Sequence, residues 1–565
     1  MSTPWPYGAA HPQAVRAVAL VALGAAFVAL MAQLYRGRQP KAPFPTGPLV
    51  ALFALAVLQM LPLPRALLTL VAPGPSAVWY PAAPAAAAVV GLGAHPVSVD
   101  PDATRRVLGF TTGILALALL SVPALRARRS ALASAVVVAG GALVIALYGV
   151  VARTLFGALL FGRVPVPTIA PFGSFVSKNH FAGYVEMAAL LCGGLAWGLL
   201  DEARRSPAAL SWVGSAKAGR VIVAGGAAMA MGLAALLAQS RGGALSLVAG
   251  ALVLVSLRHF VRRRIAASRR VWATGLVLVA LAAGAAAALP PEARARLATL
   301  AGMGHDNSGQ FRLGVWTDTA RLWARSPLVG HGLGAYADAL PPVKTGLGYV
   351  RVEHAESDVF EMAAEGGLVG LLLALAGLAG AARVVASGLS RQTDRLRRGL
   401  GLGAAAGASA LLVHSTFDFN LRIPSNALLF AFLCALALAA ATPESATTRR
   451  PIGALAVALA VALALALAVA TPATPSLNLP DEARAFAVKG GRPATPLRVA
   501  QATGALTAHL QRRPADAEAW LFLAWLRSVG GALDDAKALA RYAAQLDPQR
   551  AAIQSEAARI QGSPR

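Results

Sequence analysis

The sequence predicts an all-α, polytopic membrane helix bundle with a soluble helical tail, and three observations carry that prediction. First, 57% of the 565 residues are hydrophobic and only 13% are charged, against about 25% charged in a soluble globular protein. Second, the apolar residues gather in long, unalternating runs near the ~20 residues that a spanning helix needs. Such runs satisfy their own backbone hydrogen bonds as helices, whereas barrel strands would alternate. Third, the polar residues collect in a few loops, the longest over roughly 290–361, and in a tail that starts near residue 471. The net charge of +26 would suggest nucleic acid on a soluble chain. Here the basic runs are short and lie between apolar segments, which is what membrane topology requires, so no nucleic-acid partner is expected. Cys192 and Cys434 sit inside apolar runs without metal-ligand spacing and read as small core hydrophobes.

Candidate spans fall at roughly 14–34, 48–71, 106–125, 131–155, 179–200, 221–239, 242–257, 271–289, 364–386, 399–415, 425–442 and 452–470, about twelve, with ends placed to within a few residues. Basic residues follow the odd-numbered spans: Arg36, Arg38 and Lys41; Arg126, Arg128 and Arg129; Arg204 and Arg205; Arg258 through Arg270; Arg395, Arg397 and Arg398; Arg449 and Arg450. Loops of this kind are cytoplasmic. The 290–361 loop and the tail are then both extracytoplasmic, and so is the N-terminus. The start lacks the basic region and small-residue cleavage site of a secretory signal. An outside N-terminus is unusual: either the first span inserts that way round, or an additional helix lies upstream of this start.

The outer loops carry the candidate chemistry. The first, 72–105, is rich in Pro and Ala; it reads as structural or as a shallow interfacial hairpin, with Asp102 near the cap of the next span. The second ends in Lys178-Asn179-His180 at the mouth of the fifth span. An interfacial anchor with a helix cap and a contact to a lipid head group or glycan both fit these three residues. The sixth and seventh spans meet at Gln239-Ser240-Arg241-Gly242-Gly243. Arg241 opposes the positive-inside bias, so it is either snorkelling or binding an anion. Gly242 and Gly243 let backbone N–H groups approach a ligand at a helix N-terminus, which favours the anion.

The central loop is the longest polar interruption. Asn307 or Ser308 can start a helix, Leu313, Trp316, Ala320 and Trp323 recur on one face, and Pro327 ends it. Arg312 lies in its first turns, predicted away from the Trp face and open to a ligand. Gly330-His331-Gly332-Leu333-Gly334 reads as mobile or tightly turned; with no preceding strand it is not a dinucleotide motif. His354 follows among Glu353, Glu356 and Asp358, which could orient its ring. Glu365 is expected at a helix start, where the dipole favours a carboxylate. His414, Asp418 and Arg422 gather between the tenth and eleventh spans, as a ligand wall or as a turn closed by an Asp418–Arg422 pair. In the tail, Pro514 to Pro548 reads as helix, glycine turn, helix and proline, close to one tetratricopeptide unit, with flanking helices over 496–512 and 549–560. Such a tail suggests a protein partner.

Taken together, Ser240-Arg241-Gly242, Arg312 with Trp316, Gly330 to Gly334, and His354 through Glu365 to Gly370 resemble the O-antigen ligase-like membrane family of lipid-linked glycan ligases and polymerases. Asn179 to Gly183 and His414 to Pro424 resemble segments of its exopolysaccharide-associated members. The resemblance covers roughly 50–440 and rests on the order of the motifs. It implies a glycosyltransferase C-like bundle over 1–470 that includes the extracytoplasmic loop, with the tetratricopeptide-like tail over 471–565. It also implies an undecaprenyl-diphosphate-linked glycan donor, used at the outer face of the bacterial inner membrane without a nucleotide sugar, metal or other cofactor. The acceptor is a second lipid-linked glycan, lipid A–core or a protein.

The chemistry fits the residues. A departing diphosphate carries negative charge, and without a metal, arginines must hold it; Arg241 and Arg312 are the candidates. An acceptor hydroxyl must lose a proton, and His354 is the candidate base for an inverting transfer. Lys178, Asn179, His180, His414, Asp418 and Arg422 are secondary contacts to glycan or head group. Two other classes remain. A transporter predicts ionisable residues in mid-membrane and interrupted helices, yet few such residues are evident inside the spans. A scaffold predicts that all function resides in the tail.

Overall fold

Helices make up almost all of the regular structure, as a chain that must satisfy its own backbone polar groups in lipid requires. The computed structural model describes residues 11–37, 46–157, 159–165, 171–203, 216–261, 307–346, 350–443 and 496–562, with isolated residues beside them. In chain order the helices are α1 (Pro12–Tyr35), α2 (Gly47–Leu58), α3 (Arg65–Val71), α4 (Pro73–Trp79), α5 (Pro84–Val90), α6 (Pro101–Leu125), α7 (Arg128–Phe156), α8 (Lys178–Ala203), α9 (Ala216–Leu237) and α10 (Arg241–Val261). Then come α11 (Asn307–Ala324), α12 (Tyr336–Ala339), α13 (Asp358–Arg391), α14 (Arg395–His414) and α15 (Pro424–Ala441), and the C-terminal α16 (Pro496–Leu510), α17 (Ala517–Val529), α18 (Leu533–Leu546) and α19 (Ala551–Gly562). A two-stranded hairpin, β1 (Leu159–Leu160) with β2 (Val164–Pro165), is the sheet among the described residues.

Eight helices among the described residues are long and apolar enough to cross a membrane: α1, α6, α7, α8, α9, α10, α13 and α15. The expected spans 271–289 and 452–470 lie outside the described residues. The expected span 48–71 is not one helix. Its first part, α2, has 12 residues, about 18 Å at 1.5 Å per residue, well short of the ~30 Å apolar core. Gln59 follows with its amide turned inward, and Pro62 and Pro64 then remove two backbone donors. The expected span 399–415 is the 20-residue α14, which falls outside the apolar set because it mixes Arg395, Arg397 and Arg398 with glycines.

The chain divides into two compact units, and the division falls inside α6 and α13. In the first unit, residues 1–47, 109–303 and 376–466, α8 and α15 are mostly buried, while α1 and α9 turn most of their apolar side chains outward. The glycine content of α14 is explained by its neighbour. A Cβ on Gly403 would fall 2.8 Å from the Leu190 and Leu191 carbonyl oxygens of α8, and one on Gly399 would fall 2.6 Å from that of Gly194. Small residues let the two backbones meet, which is how helices associate where no hydrophobic force drives them together.

The second unit holds residues 48–108, 304–375 and 467–565. Here the C-terminal helices are packed on the short helices of the first polar loop. Leu506, Trp520, Leu523, Leu539 and Leu546 bury against Leu68, Trp79, Val89 and Val90. Polar contacts fix the fit: Tyr542 donates its hydroxyl to the Val78 carbonyl at 3.3 Å, and Gln511 donates to that of Val89 at 3.2 Å. Asp516 caps α17 by accepting from the Ala519 amide at 3.1 Å, and Gly531 at φ 83° makes the turn into α18. Asp100, rather than Asp102, caps α6, accepting from the Ala103 amide at 3.0 Å; Asp102 pairs with Arg105 one turn on.

Replacing Gly403 with Val should push α8 and α14 apart at a cost of about 1–3 kcal/mol, the usual penalty for overpacking. A lower melting temperature of the purified protein in detergent is the expected reading, and an unchanged one would show that the helices have room to spare.

Candidate functional site

The predicted residues fall into two sets, one in each unit. In the first unit, Lys178 opens α8, and Asn179 and His180 follow on its first turn. Asp418 accepts from Asn179 Nδ2 at 2.7 Å and lies 3.2 Å from His180 Nε2. Phe419 meets the His180 ring edge-on at 4.7 Å. Asn426 donates to the His180 carbonyl and to Asn420 Oδ1 at 2.9 and 2.8 Å. Asn179, His180, His414 and Asp418 are thus brought into one region, with Arg422 in the single 3-10 turn Asn420–Arg422.

Arg241 is the first residue of α10, and Ser240 Oγ accepts from the Gly243 amide at 3.1 Å, which caps the helix. Gly242 lies against the His414 ring; a Cβ there would sit 3.0 Å from Nε2. His414 Nδ1 lies 3.1 Å from Glu186 Oε1, and Glu186 Oε2 accepts from Ser246 Oγ at 2.8 Å. Glu186 and His414 are both buried. The sequence reading missed Glu186. The available signal was a single acid within the apolar run Tyr184-Val185-Glu186-Met187, and an ionisable residue in such a run points to function or to a dedicated partner.

In the second unit, α11 buries Val315, Asp318, Thr319 and Leu322. The predicted stripe of Leu313, Trp316, Ala320 and Trp323 is therefore off by one position, and Leu313 is exposed. The stripe was drawn through the tryptophans, but the buried face follows Asp318 and Thr319, which have partners: Asp318 accepts from the Thr345 amide at 3.1 Å, and Thr319 Oγ1 meets the Tyr336 hydroxyl at 2.6 Å. Arg312 is not turned away from Trp316. The two are four residues apart, and both reach Glu356: Arg312 Nε lies 3.3 Å from Oε2, and Trp316 Nε1 donates to the main-chain carbonyl at 3.3 Å.

His354 stands two residues before Glu356, and its side chain is 31% exposed. Its Nδ1 is 3.0 Å from Glu361 Oε1, and Glu361 Oε2 accepts from the Ala355 amide at 2.9 Å. An ionised carboxylate only accepts, so against an ionised Glu361 the His354 Nδ1 is the donor. Glu361, another residue that the sequence reading passed over, lies one turn into α13. The helical stretch starts at Asp358, before the expected 364, because Ser357 Oγ accepts from the Phe360 amide, and it is broken at Gly367, whose φ is 64°. Glu365 is accordingly not at a helix start. It is buried in the second turn, where Oε1 accepts from the Tyr336 amide at 3.3 Å. Its carbonyl accepts from Gln59 Nε2 and from the Gly332 amide.

The glycine segment is tightly turned. Gly330, Gly332 and Gly334 have φ of 69°, 108° and 83°, a region that L side chains rarely adopt. Gln59 closes the turn by accepting from the Leu333 amide at 3.0 Å. His331, buried beside it, is held down to about 4 by burial. It stays neutral at ordinary pH, so it belongs to the packing.

Just past the glycine segment, Asp338 meets charges from distant parts of the chain. Arg513 donates to Asp338 at 2.5 Å and lies 3.2 Å from Asp100; Arg351 donates to the other Asp338 oxygen at 2.8 Å. Burial opposes the ionised form of Asp338, but Arg513 and Arg351 outweigh it and hold the carboxyl down to about 2. Burial pushes Asp100 up to about 6, against the pull of Arg513.

A family model described as O-antigen ligase matches residues 226–375. Over that stretch the chain is O-antigen ligase-like. No curated protein matches it. The O-antigen ligase-like stretch contains Arg241, Arg312, His354, Glu361 and Glu365, whereas Lys178, Asn179, His180, Glu186, His414, Asp418 and Arg422 lie outside it. The members of this family act on a lipid-linked glycan donor and an acceptor, and the apolar helices of this chain fit a multi-pass membrane protein.

Asp100 titrates above its ordinary 3.8 when folded, so the stability it contributes is present at low pH and is lost as pH rises through about 6. Asp338 works in the opposite direction, but only as pH falls towards about 2. Asp100→Asn should therefore gain on the wild type in melting temperature between about pH 4 and about pH 6. Parallel pH profiles for the two proteins would contradict this account.

Proposed function

We propose that the protein is a bacterial inner-membrane glycan transferase that moves an oligosaccharide from undecaprenyl diphosphate to an acceptor hydroxyl at the outer face of the membrane. The observation that carries the reading is the His354–Glu361 pair, with His354 two residues before the Glu356 that Arg312 reaches. A half-buried imidazole, its tautomer fixed by a carboxylate, is built to accept a proton at Nε2. The contrast with His414 supports the choice. Both histidines present Nδ1 to a glutamate, but His414 is only 1% exposed and His354 is 31% exposed, so an acceptor sugar can reach only the latter.

In the proposed reaction the acceptor oxygen attacks the anomeric carbon from the face opposite the diphosphate. The new C–O bond forms as the bond to the diphosphate oxygen breaks, and that oxygen keeps the electron pair. The hydroxyl proton passes to His354 Nε2. Arg312 and Arg241 are assigned to the negative charge of the diphosphate, because a guanidinium stays protonated and binds phosphate oxygens in pairs. Glu361 balances the imidazolium as it forms. Lys178, Asn179, His180, His414, Asp418 and Arg422 are assigned to the surroundings of the glycan or head group. The chemistry as written needs no metal or cofactor. The C-terminal helices are read as a tetratricopeptide-like tail on the same side of the membrane.

His354→Ala should lower transfer by about 10²–10⁴-fold, the usual contribution of a general base, while the protein still inserts. Glu361→Gln keeps the shape but loses the charge, and it should fall between the two. Both readings come from the glycan profile of a deletion strain complemented with each variant. In the uncomplemented strain, single repeat units alone would mark a polymerase. Long lipid-linked chains with no finished conjugate would mark a ligase. Full transfer by His354→Ala would remove the base assignment. Arg241→Lys and Arg312→Lys should each cost at least about tenfold, because lysine lacks the fork geometry; near-normal transfer by both would reject the clamp.

A further inference from the structure

The segment between Gly334 and Ser357 carries His354, yet its described residues contain little regular structure besides the four-residue α12 and the single turn Pro341–Val343. Ordering such a segment costs about 1–2 kcal/mol per residue in backbone entropy, so its shape must be imposed by contacts. The C-terminal helices supply them at three places. At its start, Arg513, in the turn between α16 and α17, donates to Asp338, which also accepts from Arg351, three residues before His354. In its middle, Gly348 lies directly against the Gln549 carbonyl, in the turn between α18 and α19. At its end, Ala515 shares a buried apolar cluster with Val343, Val352 and Ala355, which bracket His354 in sequence.

The charges at the first place argue for registry rather than for bulk stability. Asp100, Asp338 and Arg513 are all less than one-tenth exposed. A buried ion pair is a weak source of stability against an apolar replacement, because both charges must leave water. What it supplies is direction. Arg513 has a planar fork, and two carboxylates from different segments converge on it.

We infer that the C-terminal helices are a built-in clamp on the segment that carries His354, with Arg513 as the positioning residue that acts through Asp338 and Arg351. The inference rests on the reading of His354 as the base. It gives the tail a role within this chain, separate from any outside partner. Arg513 touches no reacting atom; it fixes where the imidazole stands.

The test uses the full-length protein in nanodiscs, as Arg513→Lys and as the double variant Asp338→Asn/Arg513→Gln, which removes both charges of the tie together; Asp100 keeps Arg106 at 3.6 Å, and the Arg351 side chain is 54% exposed to solvent. Two quantities are read: amide hydrogen exchange, and transfer by reconstituted protein supplied with lipid-linked glycan extracted from the deletion strain. Both variants should speed exchange over 338–355 about tenfold while α17 and α18 keep their protection. Both should also lower kcat about 10–100-fold with KM for the donor within about twofold, as a misplaced base does. Unchanged exchange over 338–355 would overturn the clamp. So would fast exchange with wild-type turnover, and so would exchange that rises equally in α17 and α18, since Arg513 would then hold the fold and not the segment. His354→Ala is run alongside. If it transfers normally the base reading fails, while the exchange measurement still decides whether the clamp exists.

Discussion

A carboxylate taken out of water must find donors, or it costs several kcal/mol; in this chain the buried acids find them on segments that lack regular structure of their own. Glu361 takes up the His354 ring and the Ala355 amide, and Glu365 takes up the amide that opens α12. Asp338 accepts from two arginines, one of them from the C-terminal helices. In the first unit, Asp418 holds the start of α8, and Glu186 holds the His414 ring against the start of α10. Each pairing ties a loop or a helix end to a rigid element. The polar segments around the candidate chemistry are therefore determined, although little apolar surface is available to determine them.

This arrangement gives the two histidine–glutamate pairs different uses. Both carboxylates meet the ring at Nδ1, and the two rings differ in exposure. His414 is enclosed by α8, α10 and α14 and turns its ring onto Gly242; it shapes the helix start that begins with Arg241. His354 is partly exposed, and the proposed function uses that exposure to admit an acceptor hydroxyl. A base needs its proton-accepting atom to be reachable, as well as a suitable neighbour.

The glycine segment and the C-terminal helices both hold chain that leads to the second histidine. Gly330 and Gly332 pass under the Glu365 carbonyl with φ values that only glycine adopts without strain. Beyond them, Arg513 and Gln549 hold the chain on its way to His354. The sequence shows the glycines and the helical tail as separate motifs, and in the fold they are consecutive supports of one segment.

The sequence alone determined the fold class, because apolar runs longer than any soluble core requires have one way to satisfy their backbone. It also determined most span positions, the helix starting at Asn307, the helix–glycine turn–helix of 517–546, and the O-antigen ligase-like character of the middle of the chain. These are properties of neighbouring residues and of spacing, and spacing is visible in a string. It did not determine the break after Leu58, since an inward glutamine is read from its distant partners at Val329, Leu333 and Glu365. Nor did it determine the buried face of α11, the orienting roles of Glu186 and Glu361, or the reach of Arg513 to Asp100 and Asp338. Each of these depends on which buried charge or amide meets which partner across a long separation in sequence. Hydrogen bonds and ion pairs are short-ranged and directional, so only the folded chain decides them.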